Sequence, residues 1–251
     1  MLGLGLNLIN SLNGTGFNKY SVSNDGTDDY VGFGDANAFT INSSGGDRGF
    51  SVSFWVKMAH GVVNTQDLLY KKDEFWIRTT YQGKLLFRVF SGSASVIHQT
   101  LVHDGAIKPD IWYNVIFTFN LADANTSIIS YLNGTKLSHG SDATYSNNGT
   151  WDAVGNTSDP FEMGKYGTVY GQAEIDELSI WDDVLSDAEA AEVYNNGTPT
   201  NLSTHSNVTY LIGWWRMGDG TEQGTGSTVY DMSSNSNNGT LNNTIFTTDH
   251  P

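Results

Sequence analysis

With 251 residues the chain is long enough for one large all-β domain or two small ones, and 38% hydrophobic residues suffice for a sizeable core. The formal charge of −15 makes nucleic acid and anionic membrane surfaces poor partners, and the absence of cysteine excludes disulfides and thiolate zinc sites. No apolar run approaches the roughly 18 residues that span a bilayer, and the opening MLGLGLNLINSL has no basic flank, so no signal peptide is predicted.

Residues 1–16 form an uncharged segment in which Leu2, Leu4, Leu6 and Leu8 alternate with Gly and Asn. That alternation suits a strand added to the edge of a neighbour's sheet, so the segment reads as an N-terminal arm; a loosely held terminus is the plainer alternative. Asp25-Gly26 marks a turn ahead of a strand at Asp28-Asp29-Tyr30-Val31. Residues 50–58 alternate Phe50, Val52, Phe54 and Val56 with Ser51, Ser53, Trp55 and Lys57, the period-two pattern of a strand with two faces. Further strands are predicted at 67–71, 74–80, 85–91, 95–101 and 111–120, and Asn133-Gly134 marks a hairpin within 127–137. Residues 138–159 are polar and glycine-rich and read as a long surface loop anchored by Trp151.

The period changes within 173–197. Glu174 to Trp181 alternates as a strand, which places Glu174, Asp176 and Leu178 on one face and Glu177 on the other. At Ser186 a helix begins: Ser186 and Glu189 form a capping box, Leu185 and Ala190 a hydrophobic staple, and Asp187 lies in the first turn. Asn195-Asn196-Gly197 should stop it. One short helix near 187–194 in a strand-rich chain is expected to pack outside a sheet.

Several of these pieces resemble a known family. Asp28-Asp29-Tyr30-Val31, residues 50–58, the strand 111–120 with Asn114 where His is usual, and residues 161–165 are similar to segments of laminin-G-like domains. So are Ile175-Asp176-Glu177-Leu178, Leu185-Ser186-x-x-Glu189 and Tyr194-Asn195-x-Gly197. These domains belong to the concanavalin A-like lectin/glucanase superfamily. Residues 209–220, with Val229-Tyr230-Asp231 and the SSNSNNGTL run, look like the segment that usually opens such a domain, here found near the C-terminus. The resemblance implies an all-β, concanavalin A-like jelly-roll β-sandwich of two antiparallel sheets spanning 17–251. It would be circularly permuted if residues 208–243 complete the same sheets. A second domain of about 40 residues is the rival, and is too short to build a sandwich of its own.

Retaining glucanases of the superfamily carry a second catalytic Glu on the face that holds Glu174 and Asp176. Here that position is Leu178, or Ser179 with a bulge, so the resemblance implies no glycoside hydrolysis. It implies instead that Asp176 could bind calcium, with the turn carrying Asp25 and Asp28 as further oxygen donors; turn capping and ion pairing are the plainer roles for these residues. Asp231-x-Ser233-x-Asn235 lacks the glycine and glutamate of a calcium loop and reads as a turn. The six histidines have no zinc spacing. Trp76, Tyr81, Trp151, Tyr166 and Tyr170 flank predicted loops and are the candidates for stacking on sugar rings.

The sequence thus points to a non-enzymatic structural or binding module of a phage or viral particle surface. In that reading the arm of residues 1–16 docks on capsid or tail proteins, and the protein is present as a homo-oligomer or in many copies. An acidic, cysteine-free, strand-rich chain without an export signal fits a virion component. The alternative is a calcium-dependent carbohydrate-binding lectin module of a bacterial surface or secreted protein, with a cell-surface glycan as ligand.

Overall fold

The structure is a computed structural model that describes residues 17–35, 49–60, 65–80, 83–92, 97–103, 105–120, 128–149 and 154–251. In chain order the strands are β1 (Ser21–Asp25), β2 (Tyr30–Gly34), β3 (Gly49–Met58), β4 (Gln66–Lys71), β5 (Phe75–Thr80), β6 (Lys84–Phe90) and β7 (Ile97–Val102). Then come β8 (Trp112–Asn120), β9 (Ile128–Leu132), β10 (Thr135–Lys136), β11 (Ala143–Asn147), β12 (Phe161–Met163), β13 (Lys165–Tyr166), β14 (Val169–Tyr170) and β15 (Gln172–Trp181). After the helix α1 (Asp187–Tyr194) follow β16 (Leu211–Trp215), β17 (Thr228–Val229), β18 (Gly239–Asn242) and β19 (Ile245–Thr247).

Two antiparallel sheets face each other. One has eight strands in the order β10-β9-β8-β3-β15-β1-β19, with β16 also on β15; the other has nine, β11-β7-β6-β5-β4-β12-β2-β18-β17. The hairpin β13–β14 stands apart from both. Residues 211–247 contribute to both sheets: β16 pairs with β15 and β19 with β1, while β18 pairs with β2. The polar stretch expected to be a loop carries an edge strand instead. β11 pairs along β7 from Ala143↔Val102 to Asn147↔His98, because a sheet edge accepts a largely polar strand in which Ala143 and the half-buried Tyr145 face the core.

The sandwich core takes every second residue of the long strands, as the period-two patterns require. Phe50, Phe54, Phe75, Phe87, Phe117, Phe119, Phe161 and Trp215 are fully or almost fully buried in it, with Phe87 stacked on Phe117 at 4.9 Å. Each such side chain contributes about 2–3 kcal/mol of burial free energy. A second, smaller cluster lies outside the eight-stranded sheet, where Ala190 and Val193 of α1 pack on Tyr131, Trp181, Leu202 and Trp214. The helix has the predicted caps: Ser186 Oγ accepts the Glu189 N–H, Glu189 accepts the Ser186 N–H, and Asn195 is left-handed at φ 44°.

Candidate ligand-binding face

The outer side of the nine-stranded sheet carries one continuous row of paired residues. Ser146, Gln99, Arg88, Trp76, Tyr70, Glu162, Gly32, Thr240 and Thr228 lie opposite one another in succession across all nine strands. Their neighbours along each strand, such as Phe75, Ile77, Phe87 and Val89, point into the core, so the alternation itself aims the row outward.

At the middle of the row the aromatic residues gather. Trp76 is 7% exposed because Tyr166, from the hairpin β13–β14, stacks on it with centroids 4.5 Å apart and planes 17° apart. Tyr70 meets Tyr166 edge-on at 4.6 Å and Trp76 at 6.2 Å. Arg78 lies 4.1 Å from the centroid of the Trp76 ring and Arg88 5.4 Å. Trp76 donates its indole N–H to the buried Asp67 at 2.8 Å, and Asp67 also faces Arg78 Nε at 3.3 Å. Burial raises the Asp67 carboxyl above its ordinary value, against the opposing pull of Arg78. Burial raises the Tyr70 hydroxyl too, so it stays a neutral donor at any physiological pH. Beside this cluster opens a cavity of about 570 Å³ lined by Tyr70, Lys72, Asp159, Glu162, Tyr166 and Val169. Tyr166 and Val169 are both exposed there, at 37% and 46%.

Of the predicted sugar-stacking residues, the structure brings Trp76 and Tyr166 into contact and places Tyr170 nearby on β14, 6.4 Å from Tyr30. Trp76 is the second residue of β5, directly after the turn at residues 72–74. It sits beneath Tyr166, so the exposed ring of the pair is the tyrosine. Tyr81, Trp151 and the arm of residues 1–16 lie outside the described residues.

The predicted cation ligands separate into two places. Asp25 and Asp28 do lie together, and the third member of their group is Asp29, with carboxylate oxygens all within 4.8 Å of one another. Asp29 accepts the Asp25 N–H at 2.9 Å, and its carboxyl is raised by burial and by the charges of Asp25 and Asp28. Asp176 is not in this group. It is fully buried, accepts from Asn18 Nδ2 at 2.8 Å and from the Glu177 N–H at 2.7 Å.

The strict alternation predicted for β15 does not hold. The partner on one edge changes from β1, which pairs residues 172–175, to β16, which pairs 178–181. At the change Glu177 adopts a left-handed φ of 47° and the register against β3 slips between Asp176 and Ser179. Ile175 and Leu178 therefore both enter the core, and Asp176 and Glu177 lie together on the outer side. Glu177 is 5% exposed, accepting from Trp214 Nε1 at 2.7 Å and Arg216 Nε at 3.0 Å. Leu178 thus does not occupy the face that sequence spacing gave it. Asp231 forms the predicted turn, accepting the N–H groups of Trp214, Ser233 and Asn237.

Over residues 25–191 the sequence matches the family described as the concanavalin A-like lectin/glucanases superfamily. The chain belongs to that superfamily. Among curated proteins no relative matches. Among solved structures it is similar to a candidate carbohydrate-binding protein from Bacteroides ovatus, at 14% identity and a TM-score of 0.61, covering 93% of this chain and 60% of that one. A Ruminococcus gnavus sialidase CBM40 bound to sialyllactose matches at 13% identity and a TM-score of 0.43, over 69% of this chain and 96% of that one. The binding domain of botulinum neurotoxin DC matches at 17% and 0.46, over 72% of this chain and 47% of that one. The present chain therefore spans about three fifths of the Bacteroides ovatus protein, and at these identities the shared property is the lectin-like sandwich fold.

Within this superfamily member, sequence reasoning missed Tyr70, Arg78, Arg88, Asp67 and Glu162 on the face and Asp29 in the acidic turn. The first three had a signal, since they alternate with core residues on strands that were correctly predicted. The proximity of Tyr166, about ninety positions away, had none.

Proposed function

We propose that this domain is a non-enzymatic carbohydrate-binding module whose ligand site is the outer face of the nine-stranded sheet. The observation that carries the reading is the joining of an exposed tyrosine, Tyr166, a buried indole, Trp76, and a polar row across the sheet beside an open cavity of about 570 Å³. Aromatic rings offer the apolar face of a sugar a stacking surface, and side chains fixed by neighbours orient its hydroxyls at little entropic cost. The description of the Bacteroides ovatus structure agrees with it. Binding rather than hydrolysis is supported by the burial of Asp176 and Glu177 on the other sheet, whose carboxyls are taken up by Asn18, Trp214 and Arg216. A glycan array probed with the purified protein should give saturable binding to a subset of glycans. A blank array contradicts the proposal.

The particle-surface role is the second reading, with residues 1–16 as its docking arm. It is favoured by the firm hold on the root of that arm: Asp219 accepts the Lys19 and Tyr20 N–H groups, Asp176 accepts Asn18, and Arg216 donates to the Phe17 carbonyl. A docking segment needs such an anchor to transmit attachment to the domain.

A further inference from the structure

We infer that the outer face of the nine-stranded sheet recognises an anionic saccharide, its carboxylate or sulfate held by Arg88 with Arg78 alongside; this rests on reading that face as the carbohydrate site. Two guanidinium groups approach a single indole ring, at 4.1 and 5.4 Å from its centroid, and one carboxylate stands against them. That carboxylate, Asp67, is fully buried and already shared between Arg78 and the Trp76 N–H. Arg88 is held by a neutral group. Its Nε and Nη2 both donate to Gln99 Oε1, at 3.0 and 2.7 Å, and Gln99 is fixed in turn by Ser146 at 3.1 Å. Among the described residues no carboxylate comes within ion-pair distance of Arg88.

The nearby acids do not supply the missing charge. Glu162 is matched by Lys165 at 2.8 Å and Asp159 by Lys72 at 3.1 Å. A half-buried cation with no counter-ion is costly to hold, and here it sits on a protein whose formal charge is −15. Burial and the neighbouring Arg78 both lower the Arg88 pKa, with Tyr166 opposing them. A guanidinium fixed on one side still has Nη1 and the second N–H of Nη2 to donate, and the charged oxygens of a carboxylate or sulfate are the strongest acceptors for them. Tyr166 and Tyr70 pack on the same Trp76 ring that Arg88 overlies, at 4.5 and 6.2 Å, so one sugar can span them and the guanidinium. Arg78 is committed to Asp67, which its removal would leave buried and unpaired.

The test is titration calorimetry of the full chain with a panel of neutral oligosaccharides and their sialylated and sulfated counterparts. The acidic members should bind about tenfold more tightly than their neutral parents, the worth of one charge-assisted contact. Arg88→Gln should erase that preference, bringing the acidic members down to the affinity this variant shows for their neutral parents. A merely structural role for Arg88 would lower the midpoint and spare the preference. If Arg88→Gln does not fold, the wild-type protein still decides, because the preference must shrink as salt is raised from 0.05 to 0.5 M. Equal binding of neutral and acidic sugars, or a preference that survives Arg88→Gln or high salt, overturns the inference and leaves the carbohydrate reading standing. Failure of every saccharide to bind overturns both. A preference for sialylated over sulfated members, or the reverse, identifies which anion the fork accepts.

Discussion

Trp76 and Tyr166 come from strands about ninety residues apart and stack at 4.5 Å, the indole buried and the phenol exposed. The pair divides one task into two, and the division can be measured. Trp76→Ala removes a buried ring and its bond to Asp67, and should destabilise the fold by about 3 kcal/mol in denaturant titrations. Tyr166→Ala, on a surface hairpin, should change stability by less than about 1 kcal/mol. Equal losses would show that the hairpin is part of the core, which the structure denies.

The buried acids on β15 set a pH dependence. Burial raises the Glu177 carboxyl from its ordinary 4.5 to about 7, although the Arg216 charge opposes this, and Asp176 is raised well above its ordinary value by burial and by Glu177. Between these values the folded chain keeps a proton that the unfolded chain has released. Stability is therefore greatest on the acid side of this window and falls as the pH rises from about 4.5 to about 7. The loss should be on the order of 3 kcal/mol, and Glu177→Gln should flatten the slope. A stability that rises through this window in the wild type would contradict the account.

Calcium is expected at the turn and not on the strand. Asp25, Asp28 and Asp29 offer oxygens within 4.8 Å of one another. An ion bound only to the folded state at a hundred times its dissociation constant adds about 2.7 kcal/mol and raises the unfolding midpoint by several degrees. Asp28→Asn should remove that shift and Asp176→Asn should leave it intact. A midpoint indifferent to calcium and EGTA would mean that the three carboxylates only shape the turn.

Residues 17–20 are pinned to Asp176, Arg216 and Asp219, so the domain should not depend on what precedes them. Deletion of residues 1–16 should leave the unfolding midpoint unchanged and, if the arm joins copies of the chain, convert a multi-copy assembly into monomers in sedimentation velocity. A full chain that is already monomeric would contradict assembly through this arm.

Much of the fold was legible because it is written locally. The capping box of Ser186 and Glu189 and the alternation of residues 50–58 each determine their element from neighbours in sequence. What was not legible depends on which strands meet. The bulge at Asp176 and Glu177 exists because β15 exchanges β1 for β16 along one edge, and β16 comes from thirty residues downstream. Period-two counting from Glu174 therefore put Glu177 on the wrong face and Leu178 outside the core. The polar strand β11 escaped notice for a related reason: an edge strand needs a partner more than it needs apolar residues.

The most direct test of the central claim is the affinity of Tyr166→Ala for a glycan that the wild-type protein binds, measured by titration calorimetry with the unfolding midpoint recorded alongside. Base stacking energies on aromatic rings suggest that one lost platform costs about 1–3 kcal/mol, so the dissociation constant should rise about fivefold to 150-fold at an unchanged midpoint. An affinity equal to the wild type would place the ligand elsewhere on the molecule and contradict the assignment of the nine-stranded face.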